Sequence, residues 1–444
     1  MQTVPLLAHD SAGSVVAYRG GRPITAGQFM ADAASVAALL PSGSHVLNAC
    51  GDRYRFAVGL AAALITNKVS LLPPTYVPEV VRQLRAFAPD AFCLTDDAAS
   101  EIGLPIVRYP TALAAALDAW QVPSIPGNRL AAYVFTSGST GTPVPHRKTW
   151  GQLAQSVRVE ADRLGLDAAR PHALVATVPP QHMYGFESSV LVALHSGQCI
   201  CAEHPFYPAD IASVLAAVRR PRALVSTPIH LRTLLAAGIP LPAVDLIVCA
   251  TAPLDARLAT DTEQRFGAPL LEIYGSTETG QIASRRTVDG PEWRLWPRVE
   301  LVARGDRIWA QGGHIDAATA LGDVVEITAP GRFLLRGRTA DLVNIAGKRS
   351  SIAYLNHQLN AIPGVLDGAF FLGDEPGHQS ATGIARLGAV VVAPGLTVEI
   401  ILRQLRERLD PVFLPRPLLI VDSIPRNSTG KLPRAALRSF AARG

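Results

Sequence analysis

Tyr133-Val134-Phe135-Thr136-Ser137-Gly138-Ser139-Thr140-Gly141-Thr142-Pro143 is the stretch on which the reading of this chain turns. Three apolar or aromatic residues run into a segment built almost wholly of glycine and hydroxyl side chains. A buried strand emptying into such a loop predicts an anion cradle. Gly138 and Gly141 permit positive φ and close backbone approach, so free N–H groups and hydroxyls can converge on one phosphate. The same composition also makes an ordinary turn, and its neighbours must decide between the two.

Those neighbours repeat one pattern. Apolar runs expected as buried strands include His45–Cys50, Val69–Leu72, Ala91–Leu94, Ala173–Val178, Ala223–Ser226, Leu246–Cys249 and Leu270–Ile273. Between them lie amphipathic helical stretches, among them Ala26–Leu40, capped by Thr25, then 54–65, Val77–Phe87 and Trp150–Leu164. Strands alternating with helices argue for doubly wound, mostly parallel α/β sheets. Several strands end in polar or Pro-containing loops: Pro179–Glu187, Thr227-Pro228, Ala250–Pro253 and Tyr274–Gly280. Ligands of open parallel sheets sit at the carboxyl ends of strands, so these loops should share one crevice. The dinucleotide fingerprint G-x-G-x-x-G is absent, and no nicotinamide or flavin site is inferred. From Pro291 onward short β-like runs (Val299–Ala303, Arg307–Ala310, Asp323–Thr328, Arg332–Arg336) suggest a small β subdomain. A compact α+β unit of helices near 352–361 and 397–409 and strands near 365–372 and 387–392 follows.

At 444 residues the chain exceeds one ordinary core. With 48% hydrophobic and 17% charged residues it belongs among folded, soluble proteins rather than disordered ones. A net charge of +5 without a Lys/Arg block excludes a nucleic-acid footprint but suits an acidic partner. Five cysteines without a CxxC pair make no zinc site and fit a reduced, cytoplasmic protein. No apolar run reaches the length of a membrane span, and no secretory leader is read at the N-terminus.

Five landmarks in order carry a family resemblance: Thr136–Pro143, His182–Phe186, Tyr274–Gly280, Gly322-Asp323 with Gly337-Arg338, and Arg426–Lys431. The chain resembles the adenylate-forming superfamily of acyl- and aryl-CoA synthetases, peptide-synthetase adenylation domains and luciferases, over nearly its whole length. That resemblance implies an N-terminal adenylation domain, residues 1–338, and a small mobile C-terminal domain, residues 339–444, hinged near Thr339–Asp341. It implies ATP and Mg²⁺, with a carboxylate converted first to acyl-AMP and then to a thioester.

By the same resemblance, Thr136, Ser137, Gly138, Ser139, Thr140 and Gly141 hold the β- and γ-phosphates. Glu278 is the Mg²⁺ ligand, and Thr277 donates to the α-phosphate. Tyr274, Gly275, Ser276 and the Thr251-Ala252-Pro253 turn border the nucleotide, while Asp323 and Arg338 bind its ribose. Lys431 bridges carboxylate and α-phosphate in the transition state. His182 gates an acid pocket bordered by Tyr184, Gly185, Phe186, Glu187, Pro228, Ala250, Thr279 and Gly280.

Two positions depart from the pattern. Val144 stands where the phosphate loop usually carries lysine, and Arg147 or Lys148 is expected to supply the charge. Ala340 replaces the usual hinge acid. The His-Met-Tyr-Gly register is of the aryl/acyl type, which makes an amino acid the less favoured substrate. Glu187 then accepts a hydrogen bond from a substrate hydroxyl. Taken with His146–Trp150 and Asn344–Ser350, these features resemble bacterial ligases of aryl-polyene and xanthomonadin pigment pathways. Those load hydroxybenzoate-like aromatic acids onto an acyl carrier protein. The expected acceptor is therefore the phosphopantetheine arm of an acyl carrier protein, steered by Lys348, Arg349, Arg403, Arg406 and Arg408. An aryl- or acyl-CoA ligase using free CoA is the alternative, and a non-catalytic nucleotide-binding relative is the third reading.

Overall fold

The computed structural model describes residues 2–111, 120–137, 143–305, 307–338, 342–345, 348–372, 387–426, 432 and 440. Gly138, Ser139, Thr140, Gly141, the Thr339–Asp341 hinge and Lys431 lie outside the described residues, as do the side chains of Ser137 and Arg338.

Local sequence explains where the helices begin. Thr25 caps Ala26–Leu39 by accepting from the Gln28 N–H. Thr149 opens Trp150–Leu164 with a capping box to Gln152, and Gly165, at φ 67°, closes it. Leu153, Ala154, Val157 and Ala161 on that helix are buried.

Two large sheets position the site. In the first, Val69–Leu72, His45–Asn48, Phe92–Thr95 and Ile106–Arg108 run parallel beside Leu130–Ser137. Its far edge is the antiparallel strand Pro143–Thr149, which the sequence reading did not expect. Pro143 and Pro145 argue against a strand in general, but an edge strand tolerates proline. The two described strands on either side of the phosphate-type segment are thus antiparallel neighbours.

The second sheet has eleven strands. Its six central strands are parallel, in the order Leu270–Ser276, Leu246–Cys249, Arg222–Ser226, Ala173–Ala176, Cys199–Cys201 and Val15–Arg19. Gly280–Arg285, Glu292–Leu295, Arg332–Arg338 and Asp323–Ala329 extend it antiparallel. The expected β subdomain is therefore divided. Val299–Arg304, Arg307–Gly312 and Ile315–Ala320 form their own sheet. The last two expected strands join the large sheet through Glu292–Leu295, whose Trp293 stacks on Phe333.

The two large sheets close over a common core, where Phe56 meets Phe186 edge-on with ring centroids 6.3 Å apart. Arg53 is fully buried beside them. Its guanidinium donates to the carbonyls of Ala176 (3.1 Å), Val178 (2.6 Å), Cys201 (3.3 Å) and Glu203 (2.8 Å). Two strand ends and the loops that leave them are tied to one side chain.

A separate C-terminal region packs helices Ile352–Asn360 and Val398–Arg406 on strands Asp367–Leu372, Leu387–Val392 and Leu418–Ile420. Its core includes Leu355, Leu359, Phe370, Val391, Ile401 and Leu405. All five cysteines are buried and free. Burial pushes the thiols of Cys93 and Cys199 up to about 12, and those of Cys50, Cys201 and Cys249 upward as well. Among the described residues, no helix is long and apolar enough to cross a membrane.

Candidate active site

The strand Leu270–Ser276 runs three residues past its expected end and turns back as Gly280–Arg285. Thr277, Glu278 and Thr279 form the tip of this hairpin, with Ser276 Oγ and Thr279 Oγ1 3.1 Å apart across its base. Glycine is required at Gly275 because a Cβ there would stand 2.3 Å from the Gly280 carbonyl. The tip thereby presents the Glu278 carboxylate, 44% exposed, at a fixed point.

Tyr274, on the same strand, donates to Asp323 Oδ2 at 2.7 Å. Its ring is buried against Trp293 and Phe333, so the hydroxyl is oriented by packing. Asp323 pairs in register with Arg338. The turn after Leu246–Cys249 holds Thr251 at φ 84°, an outlier for a β-branched residue. Such backbone strain concentrates at functional sites. Ala252 and Pro253 complete that turn.

The unexpected edge strand brings Val144, His146 and Lys148 to one face. His146 Nε2 lies 3.0 Å from Thr136 Oγ1 and 3.6 Å from Glu278 Oε1. Burial lowers the pKa of this imidazole despite the nearby Glu278 charge. Arg147 and Lys148, the two residues expected to replace the cation absent at Val144, both border the cavity beside Glu278. Lys148 is four residues, about 13 Å, further along from Val144. Lys148 is only 7% exposed, and its Nζ donates to the Glu278 carbonyl at 3.2 Å. His146, which sequence reasoning missed, is the nitrogen side chain that stands beside Thr136.

Beyond Glu278 opens a cavity of about 230 Å³. Lys148, Gln152, Ser156, Met183, Glu187, Thr279, Gly280 and His314 are among its walls. Of the expected pocket residues it gathers Glu187, Thr279 and Gly280. Tyr184 turns away, donating to the carbonyls of Ser226 (3.2 Å) and Val248 (3.0 Å). Phe186 is fully buried against Phe56 and faces the core. Gly185 packs against Pro179, whose carbonyl a Cβ would approach to 2.1 Å. Pro228 starts the helix Pro228–Ala236 and Ala250 follows the strand Leu246–Cys249; neither lines the cavity. His182 caps the short helix Met183–Gly185 beside the strand ends. Ser156 and His314 could not be found from local sequence. They lie far from the hairpin in the chain, and folding alone brings them to Gly280.

Burial sets the electrostatics. Glu187 is 1% exposed, and desolvation raises its pKa to about 7 against the lowering influence of the Lys148 charge and the Ser156 hydroxyl. Lys148 is lowered, chiefly by burial. Burial likewise pushes His204 and His314 down to about 4. His195, 4.6 Å from the Trp150 ring, falls to about 3. Neither of its ring nitrogens has a partner among the described residues. All three histidines are neutral in the fold, whereas in the unfolded chain they protonate near the ordinary value of about 6.5. Between pH 6.5 and 4 the unfolded state therefore binds more protons, and stability falls as pH falls. The two buried ones, His195 and His314, each contribute up to about 3 kcal/mol to that loss at pH 4, and the solvent-exposed His204 contributes less because water screens it. The denaturation midpoint is expected to drop steeply below pH 6, with His195→Phe flattening the profile. A wild-type profile flat from pH 7 to 4.5 would contradict it.

Comparison with known proteins fits this geometry. The profile of the AMP-binding enzyme family matches residues 8–308. A 4-coumarate–CoA ligase of Halorhodospira halophila is 27% identical over 67% of this chain and 73% of its own length. One from Rhodobacter capsulatus is 30% identical over 54% of this chain and 60% of its own. In structure, the o-succinylbenzoate CoA synthetase of Bacillus subtilis, solved with an acyl-adenylate intermediate, superposes with a TM-score of 0.81 at 17% identity, covering 99% of each chain. With the family profile spanning the parallel strands of both large sheets, the Thr277–Thr279 hairpin and the edge strand, the chain belongs to the AMP-binding enzyme family.

Proposed function

We propose that this AMP-forming acid–thiol ligase activates a compact aromatic acid and passes its acyl group to a phosphopantetheine-type thiol. The observation that carries the reading is the cavity of about 230 Å³ beside Glu278, which suits a ring-sized acid with a few polar groups. The acid carboxylate attacks the α-phosphorus of ATP, a new acyl–oxygen–phosphorus link forms, and pyrophosphate leaves with the electrons of the broken P–O bond. The acceptor sulfur then attacks the acyl carbon and AMP departs. Both steps bring like charges together, so positioning and electrostatics dominate. Thr136 and His146 flank the polyphosphate, Thr277 donates to the α-phosphate, and Tyr274 orients Asp323 toward the ribose hydroxyls.

Glu278 fits Mg²⁺: it is a hard, exposed carboxylate. Among the described residues no cluster of three or more His, Cys, Asp or Glu competes for a metal. An ion held by one carboxylate plus phosphates and waters matches magnesium's habits, and it supplies charge neutralisation of the polyphosphate. Lys431, on the C-terminal region, completes the site by domain closure.

Two acceptors fit. The matched relatives are named for CoA, which favours free CoA at least as strongly as a carrier arm. On the C-terminal region Arg403 and Arg406 are exposed on one helix, a surface that an acidic carrier protein would meet. Substrate-dependent exchange of labelled pyrophosphate into ATP, run over hydroxybenzoates, cinnamates, fatty acids and amino acids, tests the substrate class. Adding CoA or holo-carrier protein then identifies the acceptor. Exchange with amino or fatty acids alone would replace this reading. No exchange with any acid would favour a nucleotide-binding relative without activity.

A further inference from the structure

Asp367 meets two arginines from different parts of the chain. It opens the strand Asp367–Leu372 of the C-terminal region, and its side chain is 13% exposed. Arg426 of the same region grips it with bonds of 2.8 and 2.7 Å. Arg232, on the helix Pro228–Ala236, approaches Oδ1 from across the border at 3.6 Å. The Arg232 side chain is only 31% exposed, yet among the described residues it makes neither ion pair nor hydrogen bond within its own region. Burial lowers its pKa, and the charge of Asp367 opposes that. A second pair crosses nearby with the signs reversed. His357 Nδ1, on the helix Ile352–Asn360, stands 3.9 Å from Oδ2 of Asp255, the cap of Ala256–Phe266. The field of Asp255 also reaches Arg232.

Chain geometry ties this contact to the chemistry. Pro228 opens its helix just after the strand Arg222–Ser226, at the strand ends that border the crevice. Arg232 lies four residues further on, about 6 Å of helical rise. Lys431 follows Arg426 by five residues, a reach of at most ~18 Å. A contact that seats Asp367 and Arg426 on Arg232 therefore keeps the root of the Lys431 loop near the strand ends.

We propose that Arg232 is a positioning residue for acyl-adenylate formation: by pairing with Asp367 it seats Arg426, and with it the loop bearing Lys431, beside the strand ends. This rests on reading Lys431 as the group that completes the site. Removing Arg232 leaves the grip of Arg426 on Asp367 in place, so the C-terminal region keeps its own fold and loses only its seat. One ion pair at a partly exposed border is a modest, salt-sensitive attraction. It biases an orientation without fixing it.

The test measures both half-reactions in the full chain: substrate-dependent pyrophosphate exchange, and thioester formation from preformed acyl adenylate. Arg232→Met is expected to lower kcat of exchange about three- to fivefold while KM for ATP and acid hardly moves. Arg232→Glu, which sets like charges against each other, lowers it ~10-fold or more. Arg232→Lys recovers most of the wild-type rate. Thioester formation stays within about twofold of wild type in all three. Raising salt to ~0.5 M slows exchange more in the wild type than in Arg232→Met, which a merely structural role would not produce. Wild-type exchange in Arg232→Glu overturns the proposal. Equal losses in both half-reactions, equal salt sensitivity of wild type and Arg232→Met, or an Arg232→Lys variant no better than Arg232→Met each do the same. Lys431→Ala is run in parallel. If it keeps wild-type exchange, the reading of Lys431 falls and the proposal with it; if it loses exchange while Arg232→Glu does not, the proposal alone falls.

Discussion

Lys431→Ala is expected to slow acyl-adenylate formation by ~10²–10³, the usual scale for losing one preorganised contact to developing charge. Lys431 follows Arg426, the last described residue before its loop, and Arg426 is firmly held. Its guanidinium grips Asp367 with two bonds of 2.8 and 2.7 Å. Arg232, from the helix Pro228–Ala236, reaches the same carboxylate at 3.6 Å. The loop therefore leaves from an anchored point at the border of the two regions. Thioester formation from preformed acyl adenylate does not need charge placed between carboxylate and α-phosphate. Its rate in the variant is expected to stay within a few-fold of wild type. Equal losses in both half-reactions would show that Lys431 acts through folding or closure rather than on the reacting atoms.

Arg53→Met should have the largest effect on stability, a loss of about 3–5 kcal/mol in denaturant titrations, as when a buried charged hub is removed from its partners. Burial lowers the pKa of the guanidinium to about 10, so the group remains charged at neutral pH. It satisfies four carbonyls, and its bonds to those of Ala176, Val178 and Cys201 are buried. Two of these, Ala176 and Val178, stand just before the Pro179–Glu187 segment that leads into the cavity wall. The variant is therefore also expected to bind the acid more weakly. A loss below about 1 kcal/mol would mean that water enters and takes over the four bonds.

Much of this architecture is legible from residue patterns. Val69–Leu72, Leu246–Cys249 and Trp150–Leu164 form where the apolar period, the Thr149 cap and Gly165 place them. Local rules fail where tertiary context overrides them. Pro143 and Pro145 conceal a strand that is permitted by its place at a sheet edge. Asp323–Ala329 and Arg332–Arg338 look like members of a separate β unit until Glu292–Leu295 connects them to the large sheet. The candidate site divides in the same way. Motif spacing led to Glu278, Tyr274 and Asp323, and the structure joins Tyr274 to Asp323 directly. The distance of Lys148 from Val144, about 13 Å, depends on the extended backbone of an edge strand that no local pattern announces. Ser156 and His314 matter only through their approach to Glu187 and Gly280, which no local pattern encodes.

The five inaccessible thiols have a chemical consequence. An acyl adenylate is a strong electrophile, and the enzyme must hold it until the acceptor arrives. A surface cysteine in its thiolate form would be a ready trap, and self-acylation would use up both intermediate and catalyst. With every cysteine in the chain packed away and held protonated, the sulfur chemistry is left to the incoming acceptor. The same arrangement should let the protein withstand oxidants and thiol-directed alkylating agents that would silence an enzyme dependent on its own cysteines.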